Sequence, residues 1–166
     1  HPVEYLEPYL CKGRYLVAHC NYLDCKHIQI LRQTDTSVVY CPIASDYFGH
    51  RNHRYREMLA AGVNVCLGTD SILCQPADEQ QPLGILPQMR YLFRRDGTEP
   101  RLLLKMATVN GIRALDLDQL DTTLQSGTRA NLIGVSFDAD DSTDPLTQVL
   151  QNDYPVQPIN LTEFKT

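Results

Sequence analysis

Three short apolar runs, Tyr15-Leu16-Val17-Ala18, Ser37-Val38-Val39-Tyr40-Cys41 and Val63-Asn64-Val65-Cys66-Leu67, alternate with stretches of helical spacing, and this alternation limits the fold more than anything else in the chain. Strands joined through helices pair in parallel with right-handed crossovers, since antiparallel neighbours need only a tight turn. The flanking segments fit that order. Pro2 to Leu10 reads as a helix with Val3, Leu6 and Leu10 on one face, ending at Lys12-Gly13. Asp24 can cap a helix running to about Gln33 with Ile28 and Leu31 inward, and a helix from about His53 to Ala61 carries Met58 and Leu59 before Gly62 ends it. Pro42 stops the second strand, so Ile43 to Asn52 is expected to be a loop.

Beyond the third strand the rhythm loosens. Ser71 to Gln81 is polar and reads as a surface loop, either a lid or a plain connection. Pro82 to Arg95 has Leu83, Leu86, Met89 and Phe93 at helical spacing, with Pro87 opening or kinking the helix and Arg90, Arg94 and Arg95 on an exposed face. Helices are expected over Glu99 to Ala107 and Asn110 to Leu115, a turn at Leu124 to Gly127 and a strand over Ala130 to Phe137. Asp138 to Asp144, with four aspartates, reads as a solvated turn, because a calcium loop needs a spaced ligand series and a closing glutamate. The chain end, with Pro155 and Pro158, is expected to be an extended tail.

Composition excludes several classes. With 166 residues one core can bury roughly two-thirds of the surface that the unfolded chain exposes. A formal charge of -5, with no basic run longer than Arg94-Arg95, argues against a nucleic-acid partner. No apolar run approaches the roughly 20 residues that cross a bilayer, and no basic-then-apolar leader opens the chain. Because it opens at His1 rather than Met, the chain is read as a piece of something longer. The six cysteines are scattered; Cys20, Cys41 and Cys66 fall in apolar segments and read as reduced, structural thiols, in keeping with a cytoplasmic setting.

Two strand ends carry the chemistry. The first run leads directly into His19-Cys20-Asn21, and the third into Gly68-Thr69-Asp70-Ser71. In α/β folds the carboxyl ends of parallel strands are where reacting groups collect, so His19 and Asp70 suggest a metal or proton-transfer site. Taken alone, each has a plainer reading: a histidine bonded to backbone, and an aspartate capping a turn. The cluster His19, Cys20, Cys25 and His27 superficially resembles a zinc site but lacks a second, matching knuckle. Tyr47 and Phe48 can form a stacking wall for a substrate or anchor their loop to the core.

The strings Leu16 to Asp24, Val38 to Pro42 and Ala60 to Ser71, followed by Ala107 to Leu115 and Leu124 to Leu132, resemble the later half of the amidohydrolase superfamily over roughly residues 2 to 138. The branch they are most similar to holds guanine deaminase, cytosine deaminase and the triazine hydrolases. The resemblance implies an α/β fold, a partial (β/α)8 barrel, with residues 1–120 as its later strands and helices and 121–166 as a closing β segment and tail. It implies that His19, matched to a strand-five histidine, binds a divalent metal, in this family zinc, and that Asp70, closing strand eight, binds the same metal and takes the proton of the attacking water.

The chain also departs from that pattern. No His-x-His pair occurs in it, and His19 with Asp70 supplies two ligands where catalytic zinc has three. Tyr40 stands where the branch places a histidine, leaving His50 and His53 as substitutes, and Asn131 stands where it places an aspartate. The resemblance therefore implies a fragment of a metal-dependent hydrolase or deaminase that breaks C–N bonds in a cyclic or amidine-like small molecule. Its expected partners are further copies of itself or the missing first half of the barrel. The alternative is a non-catalytic, doubly wound α/β domain that binds a partner or small ligand.

Overall fold

β1 (Leu16–Ala18), β2 (Ser37–Tyr40) and β3 (Val65–Leu67) form one parallel sheet in that order, with Val17 opposite Val38 and Val38 opposite Val65. The computed structural model describes residues 1–74, 83–117, 126, 132–136 and 143–158. Helix α1 (Pro2–Leu10) precedes β1, and α2 (Cys25–Gln33) joins β1 to β2. Between β2 and β3 lie α3 (Pro42–Tyr47) and α4 (Tyr55–Ala60). After β3 come a single 3-10 turn at Ile72–Cys74, then α5 (Ile85–Asp96), α6 (Pro100–Ala107) and α7 (Val109–Ala114). The described chain closes with β4 (Ile133–Val135), α8 (Pro145–Gln151) and β5 (Val156–Pro158), β4 and β5 pairing antiparallel.

The parallel order expected from the alternation is present, and local chemistry explains its start and stop points. Asp24 accepts the His27 amide at 3.0 Å while His27 Nδ1 accepts the Asp24 amide at 3.1 Å, a reciprocal cap that opens α2. Val38 and Val65 from the strands meet Leu31 of α2, Met58 of α4, Leu92 of α5 and Leu103 and Met106 of α6 in one core.

Several expectations are corrected. Leu6 is exposed, so α1 packs through Val3 and Leu10 alone of the three. Residues 43–47, expected as loop, form α3 together with Pro42: a proline that ends a strand also suits the first turn of a helix, where its missing N–H leaves no bond unmade. Pro87 lies in the first turn of α5 and opens that helix for the same reason.

The arginines of α5 are not one exposed face. Arg90 is buried and donates to the carbonyls of Val149 (3.0 Å) and Tyr154 (2.9 Å), and Arg94 donates to Gln151 (3.1 Å) and Asp153 (2.8 Å). What reads as an extended tail thus contains β5, and α8, just before it, returns Leu150 to the core. Most of the Ser71 to Gln81 loop, Asn131, most of the Leu124 to Gly127 turn, the aspartates at 138–141 and the chain end beyond 158 lie outside the described residues. Among the described residues no helix is long and apolar enough to cross a membrane.

Candidate active site

A left-handed residue stands just beyond each of β1 and β3, one position after the first and three after the second. His19 has φ 64° and Asp70 φ 59°, values that side chains other than glycine rarely adopt and that cluster where structure is held for function. Gly68 permits the approach: a Cβ there would stand 2.5 Å from Val39 Cγ2 and 3.0 Å from Cys41 Sγ. With β2 between them, the two strand ends bring His19 Nε2 to 3.8 Å from Asp70 Oδ2, the side chains 42% and 31% exposed.

Both face a cavity of about 370 Å³ that Asn21, Ala44, Ser45, Phe48 and His50 also line. Ser45 Oγ donates to Asn21 Oδ1 at 3.0 Å, and Cys74 Sγ lies 4.0 Å from Asp70 Oδ2. His50 Nδ1 bonds the Tyr22 hydroxyl, so this loop histidine has a fixed ring orientation at the cavity. Phe48 lines the same space, while Tyr47 packs edge-on against it at 5.1 Å between ring centres.

His53 lies elsewhere. Its Nε2 donates to the His19 carbonyl at 2.6 Å, which places the ring proton on that nitrogen, and its ring stacks on Tyr40 at 3.7 Å. Burial pushes its pKa down to about 4, so the ring is neutral near pH 7. It lines a larger neighbouring cavity of about 710 Å³ whose charged groups are largely engaged with one another, Arg54 with Glu57 and Arg95 with Asp96. The burial of Cys20, Cys41 and Cys66 pushes each thiol up to about 11, which leaves them protonated at neutral pH; all six cysteines are free.

The structure therefore brings His19, Asp70 and His50 together and sets His53 behind His19. The sequence reading gives Tyr22, Asn21 and Ser45 no role; Asn21 and Tyr22 stand two and three positions after His19, and that proximity is the available signal. An imidazole nitrogen and a carboxylate are the donors that zinc takes. Among the described residues no three His, Cys, Asp or Glu side chains are grouped to hold a metal, so Asp70, with the His19 nitrogen beside it, fits a site that these residues alone leave incomplete. The Cys20, Cys25 and His27 cluster is not one either: His27 caps α2, and Cys25 accepts from Arg54 at 3.1 Å.

Strand order refines the expectation for His19. If β3 is the eighth strand of a barrel, β1, two places before it, is the sixth and not the fifth.

The family model described as the amidohydrolase family matches residues 1–159. An S-triazine hydrolase from Gordonia rubripertincta is 31% identical over 134 residues, 78% of this chain and 28% of the relative. A 5-methylthioadenosine/S-adenosylhomocysteine deaminase from Moorella thermoacetica is 35% identical over 130 residues, 74% of this chain and 29% of the relative. The solved structure of an atrazine chlorohydrolase from Arthrobacter aurescens, a mutant complexed with zinc and atraton, aligns with a TM-score of 0.67 over 82% of this chain and 32% of its own, at 20% identity, a likeness of fold alone. This chain spans less than a third of the length of the curated relatives just described.

Proposed function

The chain belongs to the amidohydrolase family, its strands and helices being part of a (β/α)8 barrel, and from that membership we propose that it is the later portion of a metal-dependent hydrolase or deaminase. The reaction is hydrolysis of a C–N bond in a cyclic or amidine-like small molecule. The observation that carries this reading is the placement of His19 and Asp70, 3.8 Å apart at two strand ends, over one cavity. No observation among the described residues favours the alternative of a non-catalytic, doubly wound domain.

Zinc is the metal proposed, supported by the Asp70 carboxylate with an imidazole beside it and by the zinc bound in the atrazine chlorohydrolase. When bound, a divalent metal makes water nucleophilic near neutral pH. Asp70 would hold the metal and, as an acceptor with its carboxylate at the cavity, would take a proton from the attacking water. His19, one strand later than the histidine to which the resemblance assigns the metal, would bond the same water through Nε2, which stands beside Asp70. His50, oriented by Tyr22, is the second proton carrier, and the Phe48 ring is a stacking surface for a planar substrate. Further metal ligands come from the portion of the barrel this chain does not contain. The free thiols support a cytoplasmic setting.

Metal content and turnover of the longer protein test these roles together. Asp70→Asn keeps the shape and removes the charge, and is expected to lower turnover about a hundredfold or more. Metal-dependent turnover that survives the change would end the proton role of Asp70. His19→Ala is expected to keep the metal and lose turnover; loss of the metal instead would restore His19 as a ligand.

A further inference from the structure

The backbone turns sharply at the end of β1. The Cys20 amide donates to the Ala18 carbonyl at 2.9 Å across His19, whose φ is 64°. A hydrogen bond spanning two residues around a positive-φ centre makes the rare form of γ-turn, a strained shape that persists where its surroundings hold it. The His19 amide is held by the Val39 carbonyl at 2.9 Å, within the sheet. Its carbonyl is held by a side chain from the next crossover, His53 Nε2 at 2.6 Å.

His53 is itself braced. Its ring is only 9% exposed and lies 3.7 Å from that of Tyr40, the planes 11° apart. The Tyr40 hydroxyl accepts from Arg95 at 3.1 Å, both Arg95 contacts to the Asp96 carboxylate are 2.7 Å, and the Tyr55 hydroxyl donates to that carboxylate at 2.8 Å. A continuous series of buried and half-buried groups thus runs from the end of α5 to the end of β1.

We propose that His53 is a positioning residue: its Nε2–H clamps the His19 carbonyl, holds the turn, and so keeps the His19 imidazole directed at Asp70. This rests on the reading of His19 and Asp70 as the reacting pair. His53 does not exchange protons with the cavity itself. One of its nitrogens is committed to a carbonyl, the other is buried without a partner among the described residues, and its ring is not part of the cavity wall.

The test uses this chain labelled with nitrogen-15 in its histidines. The His53 proton is expected on Nε2; a spectrum placing it on Nδ1 overturns the proposal, since a bare Nε2 cannot bond a carbonyl. Two variants then separate donor from ring. His53→Gln retains an N–H at similar reach, and His53→Phe retains the stacking ring without a donor. Backbone couplings are expected to keep His19 at positive φ in the Gln variant and to show it relaxed in the Phe variant. Exchange of the Cys20 amide should be about tenfold faster in the Phe variant, as for the loss of one hydrogen bond. A left-handed His19 in the Phe variant, or a relaxed one in the Gln variant, overturns the clamp; if the Phe variant does not fold, the proton position and the Gln variant still decide. Divalent cobalt added to the unsubstituted chain is expected to broaden the His19 and Asp70 signals. Broadening there supports the metal reading, whose decisive test is the metal content of the longer protein, whereas the couplings test the clamp without any ion.

Discussion

Gly68 and Asp70 show how much a single position can carry. The space at Gly68 is closed on one side by Val39 and Cys41, and a Cβ added there would lie 2.5 Å from the nearer of the two side chains. Overpacking of a filled site costs about 1–3 kcal/mol, so Gly68→Ala is expected to lower the unfolding free energy by that amount in a urea titration. An unchanged midpoint would mean that Val39 gives way freely. His53 makes a pH prediction. Its pKa falls from 6.5 to about 4 on burial, so as pH drops the unfolded chain takes the proton first. The unfolded state holds more protons between those two values, and stability rises with pH through that window, by on the order of 3 kcal/mol. Against His53→Gln, which removes the titrating group, the stability advantage of the unsubstituted chain is expected to shrink as pH falls from about 7 to about 4.5; a constant difference would show that His53 does not titrate on unfolding. Asp70 and His19 are legible from sequence because His19 directly follows an apolar run and Asp70 stands three positions past the end of another. The hold of His53 on His19 is not, because nothing in either local sequence marks a bond across 34 positions.

At the level of elements, the outer side of β3 is closed by α7 through one side chain. Asn110 is buried, donates to the Val65 carbonyl at 2.8 Å and accepts at its own carbonyl from Asn64 Nδ2 at 3.0 Å. Removing the amide leaves a buried strand carbonyl unpaired, so Asn110→Ala is expected to cost about 1–3 kcal/mol, read as a lower denaturation midpoint at unchanged m-value. A neutral result would mean that the Val65 carbonyl finds water. The strands and the long helices are legible from periodicity and caps. Helices α3 and α8 are not: Pro42 reads as the stop of a strand, and α8 follows an acidic stretch that reads as a solvated turn. The overlooked signal at α8 was Asp144-Pro145, where the carboxylate accepts the Thr147 amide at 3.1 Å. Arg90 reads as a surface cation until the carbonyls of α8 and its following segment are placed beside it.

For the whole molecule, the sheet stops at β1. Among the described residues β1 pairs only with β2, and Tyr5, Leu6, Tyr9, Tyr15 and Leu16 on and around the first elements are exposed. An unpaired parallel edge beside apolar surface favours association, so the isolated chain is expected to scatter light as a dimer or larger species. A monodisperse monomer at tens of micromolar would mean that these surfaces tolerate water. By itself, the sequence determined the alternation of strands and helices and the delivery of His19 and Asp70 to strand ends, because period and punctuation are properties of neighbouring residues. Only the tertiary structure decided that these two side chains share one cavity, that His50 joins them while His53 stands behind, and that Leu150 and Arg90 belong inside. Those outcomes depend on which distant segments the burial of apolar surface brings into contact, and no local pattern records that choice.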